Sequence, residues 1–309
     1  MSERAVGNVR VESGDIYRMS TVQERVKAIS RNNNLSVRTQ PTMAKIELTG
    51  ICTLNCHFCN MKEMRRKHER QKMMSDEDLK LALDYLGMFP EMKEVGLFYM
   101  GESSLHPKLA DYYRELKERG YFTFLTTNAT RIEHTLEAIP YVDSLKVSWN
   151  YKSEADFLSH FVYGAVTYQE VIDNIRSLYK VCHEHGKKLA VSTVLDTTKF
   201  DYIQSIKKLS FDEHYWIPLQ NQGGTQEDGL GGVVGESESQ VSQLPCWSLF
   251  KGVYIDCDLD VRACCYGHGK EHVLGNLRNG FDTIKSKKIQ MAQQLANKVP
   301  AMCKNCINL

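Results

Sequence analysis

Short apolar segments alternate with amphipathic ones along most of this 309-residue chain. Six apolar runs have the length and the β-branched and aromatic content typical of strands, and they cover residues 45–49, 94–100, 121–127, 144–150, 188–195 and 214–219. Apolar positions recur at helical spacing between several of them, in residues 75–88, 107–120, 131–139 and 168–186. This alternation predicts an α/β fold, in which a parallel sheet with helices outside curls into a full or partial barrel. Functional residues are expected where the carboxyl ends of the strands meet.

The remaining segments suggest how the chain is divided. Residues 1–42 are mostly polar, and a peripheral arm is expected there. The barrel is predicted for residues 43–220. Residues 221–244 are rich in Gly, Ser, Gln and Glu, which is typical of a linker or an active-site loop. Residues 245–309 contain a predicted hairpin and six of the cysteines, so we expect a small, separate C-terminal module.

Composition and charge exclude several classes of partner. The chain has 39 Lys and Arg against 38 Asp and Glu, a formal net charge of +1, which indicates no nucleic-acid or membrane partner. No apolar run reaches the roughly 18–20 residues of a membrane span, and the N-terminus has no apolar signal core. A cytoplasmic protein is therefore expected. Ten cysteines in such a chain favour soft-metal binding over disulfides, because cytosolic thiols stay reduced.

Three cysteines follow the first predicted strand, in the segment Cys52-Thr-Leu-Asn-Cys56-His-Phe-Cys59. Three thiolates so close together can hold three corners of a [4Fe–4S] cluster. Since no fourth cysteine is nearby, the fourth iron would stay open to a substrate or cofactor. A zinc site with His57 or His68 as the fourth ligand is the alternative that the spacing leaves open.

This segment resembles the CxxxCxxC signature of the radical S-adenosylmethionine (SAM) superfamily, including the aromatic Phe58 before the last cysteine. The resemblance covers about residues 43–220 and implies a partial (β/α)6 TIM-like barrel. It also implies that the open iron binds SAM and that an electron from the cluster cleaves it to a 5′-deoxyadenosyl radical. The implied electron donor is a protein such as flavodoxin or ferredoxin. The basic run 61–74 is either a docking surface for this donor or an ordinary solvated face.

Other strand-end residues resemble the superfamily's SAM-binding motifs. Met-Gly-Glu at 100–102 occupies the position of the family's Gly-Gly-Glu motif, and Thr-Asn-Ala at 127–129 occupies that of its Thr-Asn-Gly motif. Ser-Trp-Asn at 148–150 occupies the position of the family's Ser-x-Asp motif, and the amide of Asn150 replaces the carboxylic acid. The resemblance therefore implies SAM contacts from Phe58, Gly101, Glu102, Thr127, Asn128, Ser148 and Asn150.

The C-terminal cysteines resemble those of the auxiliary-cluster modules called SPASM and, in a shorter form, twitch. Pro-Cys-Trp at 245–247, a hairpin ending in two cysteines, Leu-Gly-Asn at 274–276 and a closing CxxC carry this likeness. Residues 266–302 contain no cysteine, so the likeness implies a twitch module with one auxiliary [4Fe–4S] cluster, and two clusters in the chain. The implied ligands are Cys246, Cys264, Cys303 and Cys306, with Cys265 as the alternative to its neighbour.

Two positions at the hairpin tip depart from this family pattern. Leu259 stands where the family has Gly, so a different turn is expected. Cys257 stands where the family usually has Pro, and it is either an inert thiol or a donor of a hydrogen atom to a substrate radical. Cys182 lies on an apolar helix face, which predicts a buried, inert thiol.

The resemblance implies hydrogen abstraction from a substrate C–H bond, and the next step decides the product. Loss of an electron from the substrate radical gives dehydrogenation or a cross-link, whereas a hydrogen atom donated to the opposite face gives epimerisation. Only about 42 residues precede the barrel, which favours a small polar metabolite such as a sugar or aminocyclitol over a leader-bearing peptide. Modification of a ribosomal peptide is the alternative within the superfamily. A non-catalytic zinc or iron–sulfur protein is the alternative outside it.

Overall fold

Strands and helices alternate as predicted in the computed structural model, which describes residues 41–61, 70–160, 164, 166–219, 249, 251–265 and 269–297. The strands are β1 (Met43–Ile46), β2 (Glu94–Gly96), β3 (Phe122–Thr127), β4 (Ser144–Ser148), β5 (Leu189–Leu195), β6 (Glu213–Pro218), β7 (Gly252–Ile255), β8 (Asp260–Arg262) and β9 (Val273–Asn276). The α-helices are α1 (Asp76–Leu86), α2 (Leu109–Glu118), α3 (Glu133–Ala138), α4 (Glu154–His160), α5 (Tyr168–Glu184), α6 (Lys199–Ile206) and α7 (Asp282–Asn297).

The strands of the described residues form a single sheet in the order β6-β5-β4-β3-β2-β1-β7-β8-β9. Strands β1 to β6 pair in parallel with their neighbours, which confirms an α/β fold of the partial-barrel type. β7 also pairs in parallel with β1, while β8 and β9 extend the sheet antiparallel. The predicted hairpin of the C-terminal module is therefore joined to the barrel sheet by backbone hydrogen bonds.

The helices bury one apolar face each against this sheet. Ser75 caps α1 by accepting a hydrogen bond from the Asp78 backbone N–H at 3.2 Å. α5 begins with a capping box formed by Thr167 and Glu170. Its inward residues, including Cys182, are buried in one continuous hydrophobic core together with the outward-facing residues of β1 to β5. The prediction that Cys182 is buried is confirmed.

One strand boundary and one helix differ from the sequence-based predictions. β2 ends at Gly96, whereas a strand was predicted to reach residue 100. The chain leaves the sheet there because the Leu97 N–H donates to the Tyr113 hydroxyl at 3.1 Å and not to a neighbouring strand. α4 was not predicted. Its Ser153 hydroxyl accepts from the Asp156 N–H at 3.3 Å, so the Ser-x-x-Asp pattern is the signal that could have found it.

The turn between β7 and β8 corrects the expectation at Leu259. This residue has φ +67°, in the left-handed region that favours glycine, and it is fully buried. The leucine therefore adopts a glycine-like backbone conformation, and burial of its side chain offsets the cost of about 1–2 kcal/mol for that conformation.

Several predicted features lie outside the described residues. These are the N-terminal arm up to residue 40, the 221–244 segment, His68, and the cysteines at 246, 303 and 306. None of the helices in the described part of the chain is long and apolar enough to cross a membrane.

Candidate active site

The loop after β1 carries Cys52, Cys56 and Cys59, which are half-buried and not joined in disulfides. A tight turn within it is closed by the Cys59 N–H, which donates to the Cys56 carbonyl at 3.0 Å. The Leu54 N–H points at the Cys52 sulfur, 3.5 Å away. N–H donors of this kind stabilise a thiolate, which is the form that binds iron.

Asn128, at the end of β3, lies against this loop. Its side-chain amide donates to the Thr53 hydroxyl at 3.1 Å and lies 3.7 Å from the Cys52 sulfur. The predicted SAM motif of β3 and the predicted cluster ligand of the β1 loop are therefore in direct contact.

Glu102, in the motif that follows β2, bonds to the end of β3. One carboxylate oxygen accepts from the Asn128 N–H at 2.7 Å, and the other accepts from the Thr127 hydroxyl at 2.8 Å and the Ser104 N–H at 3.2 Å. The carboxyl is 4% exposed, and burial raises its pKa, although these three donors stabilise the ionised form.

Gly101 allows the chain after β2 to pack closely against the chain after β1. A Cβ at this position would lie 1.8 Å from the Thr49 carbonyl oxygen, so only glycine fits against the β1 loop. The next residue, Glu102, donates its N–H to the Ile51 carbonyl at 2.8 Å. The Gly-Glu pair of the motif is thus packed directly on the chain that leads into the cysteines.

Ser148 and Asn150, at the end of β4, lie next to the end of β5. Ser148 is in register with Ser192. The Asn150 side-chain oxygen accepts from the Val194 N–H at 2.8 Å. That oxygen therefore links the ends of two neighbouring strands.

A polar network beside the cysteines was missed by the sequence analysis. His57 shares a 3.0 Å hydrogen bond with His160 of α4 and lies 2.9 Å from the Asp196 carboxylate, after β5. Lys152 and the Tyr202 hydroxyl also contact Asp196, and these contacts hold its pKa below the usual range. Phe58, one of the predicted SAM contacts, packs edge-on against the His160 ring. The network ties the cysteine loop to the far side of the barrel.

The bonds of His57 bear on the zinc alternative. With its two ring nitrogens facing His160 and Asp196, this side chain is not turned towards the three thiols as a fourth ligand. Within the described residues, no three His, Cys, Asp or Glu side chains converge closely enough for a single ion. The backbone and amide donors near the Cys52 sulfur favour its thiolate form, and three such thiolates can hold three irons of a cluster.

A second buried network connects the β1 loop to the β7–β8 turn. Arg70 lies 3.2 Å from Glu47 and 3.7 Å from Asp256, and all three side chains are nearly inaccessible to solvent. Glu47 also accepts from the backbone N–H groups of Met100 and Cys257, at 3.1 and 3.2 Å. Residues far apart in sequence are thereby held together around Arg70.

Cys257 is fully buried within this network. Its thiol lies 3.5 Å from the Arg70 carbonyl oxygen, to which it donates, and burial raises its pKa. This environment is typical of a structural thiol.

Of the predicted auxiliary ligands, Cys264 lies within the described residues. It is half-buried, like its neighbour Cys265. Its carbonyl oxygen accepts from the Tyr99 hydroxyl at 3.0 Å, and burial raises the pKa of Tyr99. Because Tyr99 directly precedes the Met-Gly-Glu motif, the chain that carries Cys264 is anchored beside the predicted SAM site.

Comparison with known protein families matches two parts of the chain. Residues 46–209 match the radical SAM superfamily. Residues 246–307 match SPASM, an iron–sulfur cluster-binding domain. The first match implies a [4Fe–4S] cluster and SAM, and the second implies additional iron–sulfur binding, as the sequence analysis predicted.

Individual relatives are more distant. The tungsten-containing aldehyde ferredoxin oxidoreductase cofactor-modifying protein of Pyrococcus furiosus is 29% identical over 169 residues, which are 52% of this chain and 44% of that protein. The chain thus spans less than half the length of this relative.

Two solved structures show the same fold. SuiB of Streptococcus suis, bound to precursor peptide SuiA, has a TM-score of 0.64 at 14% identity, covering 99% of this chain and 78% of SuiB. BtrN, in complex with AdoMet and 2-DOIA, has a TM-score of 0.54 at 15% identity, covering 87% of this chain and 94% of BtrN. With more than half of its residues matched by the superfamily, this chain belongs to the radical SAM superfamily.

Proposed function

We propose that this protein generates a 5′-deoxyadenosyl radical and uses it to abstract hydrogen from a small polar metabolite, ending in dehydrogenation or epimerisation. The observation that carries the proposal is the position of Glu102. Its carboxylate binds the end of β3 through Thr127 and Asn128, and Asn128 in turn contacts Cys52. Two strand-end segments, after β2 and after β3, thus converge on the cysteine loop that follows β1.

In this proposal each group of residues has a defined task. The cluster and SAM, when bound, supply the reducing electron and the radical. Cys52, Cys56 and Cys59 hold the cluster, while Cys246, Cys264, Cys303 and Cys306 hold the auxiliary cluster. Gly101 and Glu102 fix the β2 end, and Thr127 and Asn128 fix the β3 end. Phe58, Ser148 and Asn150 complete the wall that faces SAM.

The relatives support different substrates. BtrN was solved with the small ligand 2-DOIA, and the Pyrococcus furiosus protein is named for modifying a cofactor. Both support a non-peptide substrate. SuiB, whose fold covers nearly the whole chain, was solved with a precursor peptide, so peptide modification is the second candidate.

Metal analysis and product analysis test the proposal together. Anaerobically reconstituted protein should contain about eight irons with matching sulfide, as two [4Fe–4S] clusters require. After reduction it should release 5′-deoxyadenosine from SAM. Zinc without sulfide would instead support a non-catalytic metal protein, and intact clusters without 5′-deoxyadenosine would refute the enzyme.

A Cys257→Ala variant separates the two outcomes of the reaction. The buried thiol bonds to a backbone carbonyl, which supports a structural role for Cys257 over the role of a hydrogen-atom donor. A dehydrogenase should turn over nearly normally in this variant. An epimerase that uses this thiol would still cleave SAM but would stop forming product.

The electron donor is proposed to be flavodoxin or ferredoxin. Reduction of the clusters by either protein, measured by the loss of visible absorbance, tests this, with dithionite as the positive control.

A further inference from the structure

Two lysines lie on the inner face of the barrel sheet. Lys45 stands between Ala44 and Ile46 in β1, and both of these residues are buried on the helix side. Because successive side chains of a strand point to opposite faces, Lys45 points into the barrel.

Lys146 has the same position in β4. It stands between Leu145 and Val147, which belong to the core under the helices. Its neighbours in register are Thr126 of β3 and Ala190 of β5. Both neighbours are small and uncharged, so neither can balance the ammonium charge.

The neighbours of Lys45 across the sheet also carry no negative charge. Its neighbour in register on β2 is Gly96, and its ammonium lies 5.2 Å from the centre of the Phe98 ring. Within the described part of the chain, neither lysine has an ion pair with a carboxylate. Glu47, which lies just after β1 and two residues after Lys45, is held by Arg70.

Electrostatics make this arrangement costly. Burial lowers the pKa of Lys146 to about 8, and the charge of Lys45 acts in the same direction. Two cations in a partly desolvated space without a counter-ion repel each other, and an anion between them would remove both the repulsion and part of the desolvation cost.

We propose that the substrate carries an oxyanion, either a carboxylate or a phosphate, and that Lys45 and Lys146 bind it inside the barrel. Lys146 lies two residues before Ser148 on the same face, about 6–7 Å deeper at 3.3 Å per residue. The substrate would therefore point its anion towards the inner end of the barrel and its reacting carbon towards the cysteine loop. That the ligand is the substrate rests on the proposed function, whereas anion binding does not.

Competitive labelling of the anaerobically reconstituted, unreduced full-length protein tests this. Acetic anhydride acylates neutral amines, and mass spectrometry of peptides gives the labelling rate of each lysine. Inorganic phosphate or succinate, at constant ionic strength, should slow the labelling of Lys45 and Lys146. The rate at Lys80, exposed on α1 and paired with Asp84, should not change.

Variants make the test quantitative. Lys146→Met should weaken anion binding, measured by calorimetry, by about tenfold or more, the effect of one lost charged hydrogen bond. Lys146→Arg should restore much of it, and Lys80→Met should leave it unchanged.

The probes distinguish the sources of the anion. Protection by phosphate, by succinate or by both assigns a phosphate-binding, a carboxylate-binding or a general oxyanion site. Protection by neither overturns the proposal, and so does protection by SAM, which would assign the lysines to the cofactor's carboxylate. Since no reductant is present, the result is independent of whether 5′-deoxyadenosine is formed.

Discussion

Glu102→Gln tests whether the strand-end motifs act as one SAM-binding unit. The wild-type carboxylate takes the Asn128 N–H on one oxygen and the Thr127 hydroxyl and Ser104 N–H on the other. A glutamine has one oxygen, so in either orientation its NH2 group faces a backbone N–H, that of Asn128 or that of Ser104. One buried donor then has no acceptor.

The size of the effect follows from this loss. An unsatisfied buried donor costs about 1–3 kcal/mol, and a hydrogen bond to a charged group contributes about 1.5–3 kcal/mol. We expect the free energy of unfolding to fall by about 2–3 kcal/mol. Because Asn128 also bonds to Thr53 and contacts Cys52, its displacement should weaken SAM binding by about tenfold or more, or ~1.4 kcal/mol.

Calorimetric titration of SAM into the reconstituted, unreduced variant measures the affinity, and urea unfolding measures the stability. Glu118→Gln, an exposed substitution on α2, is the matched control and should match the wild type in both. A Glu102→Gln variant that keeps its iron content and binds SAM within twofold of the wild type would refute the role assigned to Glu102.

Three further predictions concern charge and backbone strain. Burial lowers the pKa of Lys146 from 10.5 to about 8, so the stability of the folded wild type increases as the pH rises from 8 to 10.5. In urea unfolding, Lys146→Met should therefore be more stable than the wild type at pH 7, and this advantage should shrink by pH 10. A difference in stability that does not change with pH would contradict this prediction. Arg70→Met should lower stability by about 3–5 kcal/mol, since Glu47 loses its buried partner. Adding Glu47→Gln should recover part of that loss, and a double variant no more stable than the single one would count against the pair. Leu259→Gly should be about 1 kcal/mol more stable than Leu259→Ala, reversing the usual order, and the ordinary order would show that the turn is not left-handed.

The parts of the fold that depend on short-range patterns were predictable from the sequence. Periodicity gave the order of β1 to β6 and the apolar faces of α1 and α5, since each is specified within one segment. The pairing of β7 with β1 was not predicted, because a strand carries no local signal of its distant partner. The Leu259 turn was misjudged because a buried side chain there offsets a strained backbone.

In the candidate site too, local motifs were predictable from the sequence, whereas contacts between distant residues were not. Cys52, Glu102 and Asn128 belong to short motifs, and the structure brings these three together. His57 with Asp196, and Glu47 with Arg70, are charged or polar pairs far apart in sequence, so no motif could have joined them. The lysines inside the barrel stand in ordinary alternating strands, and their missing counter-ion is visible only in three dimensions.

Release of 5′-deoxyadenosine from two sets of cysteine variants separates the roles of the two cysteine groups. Replacing Cys52, Cys56 and Cys59 by Ala should abolish release completely, because in the proposed function these three thiolates hold the cluster that binds SAM. Replacing Cys246, Cys264, Cys303 and Cys306 by Ala should leave SAM cleavage measurable while substrate turnover is lost. If the first variant still released 5′-deoxyadenosine at the wild-type rate, the loop after β1 would not be the place where the radical forms.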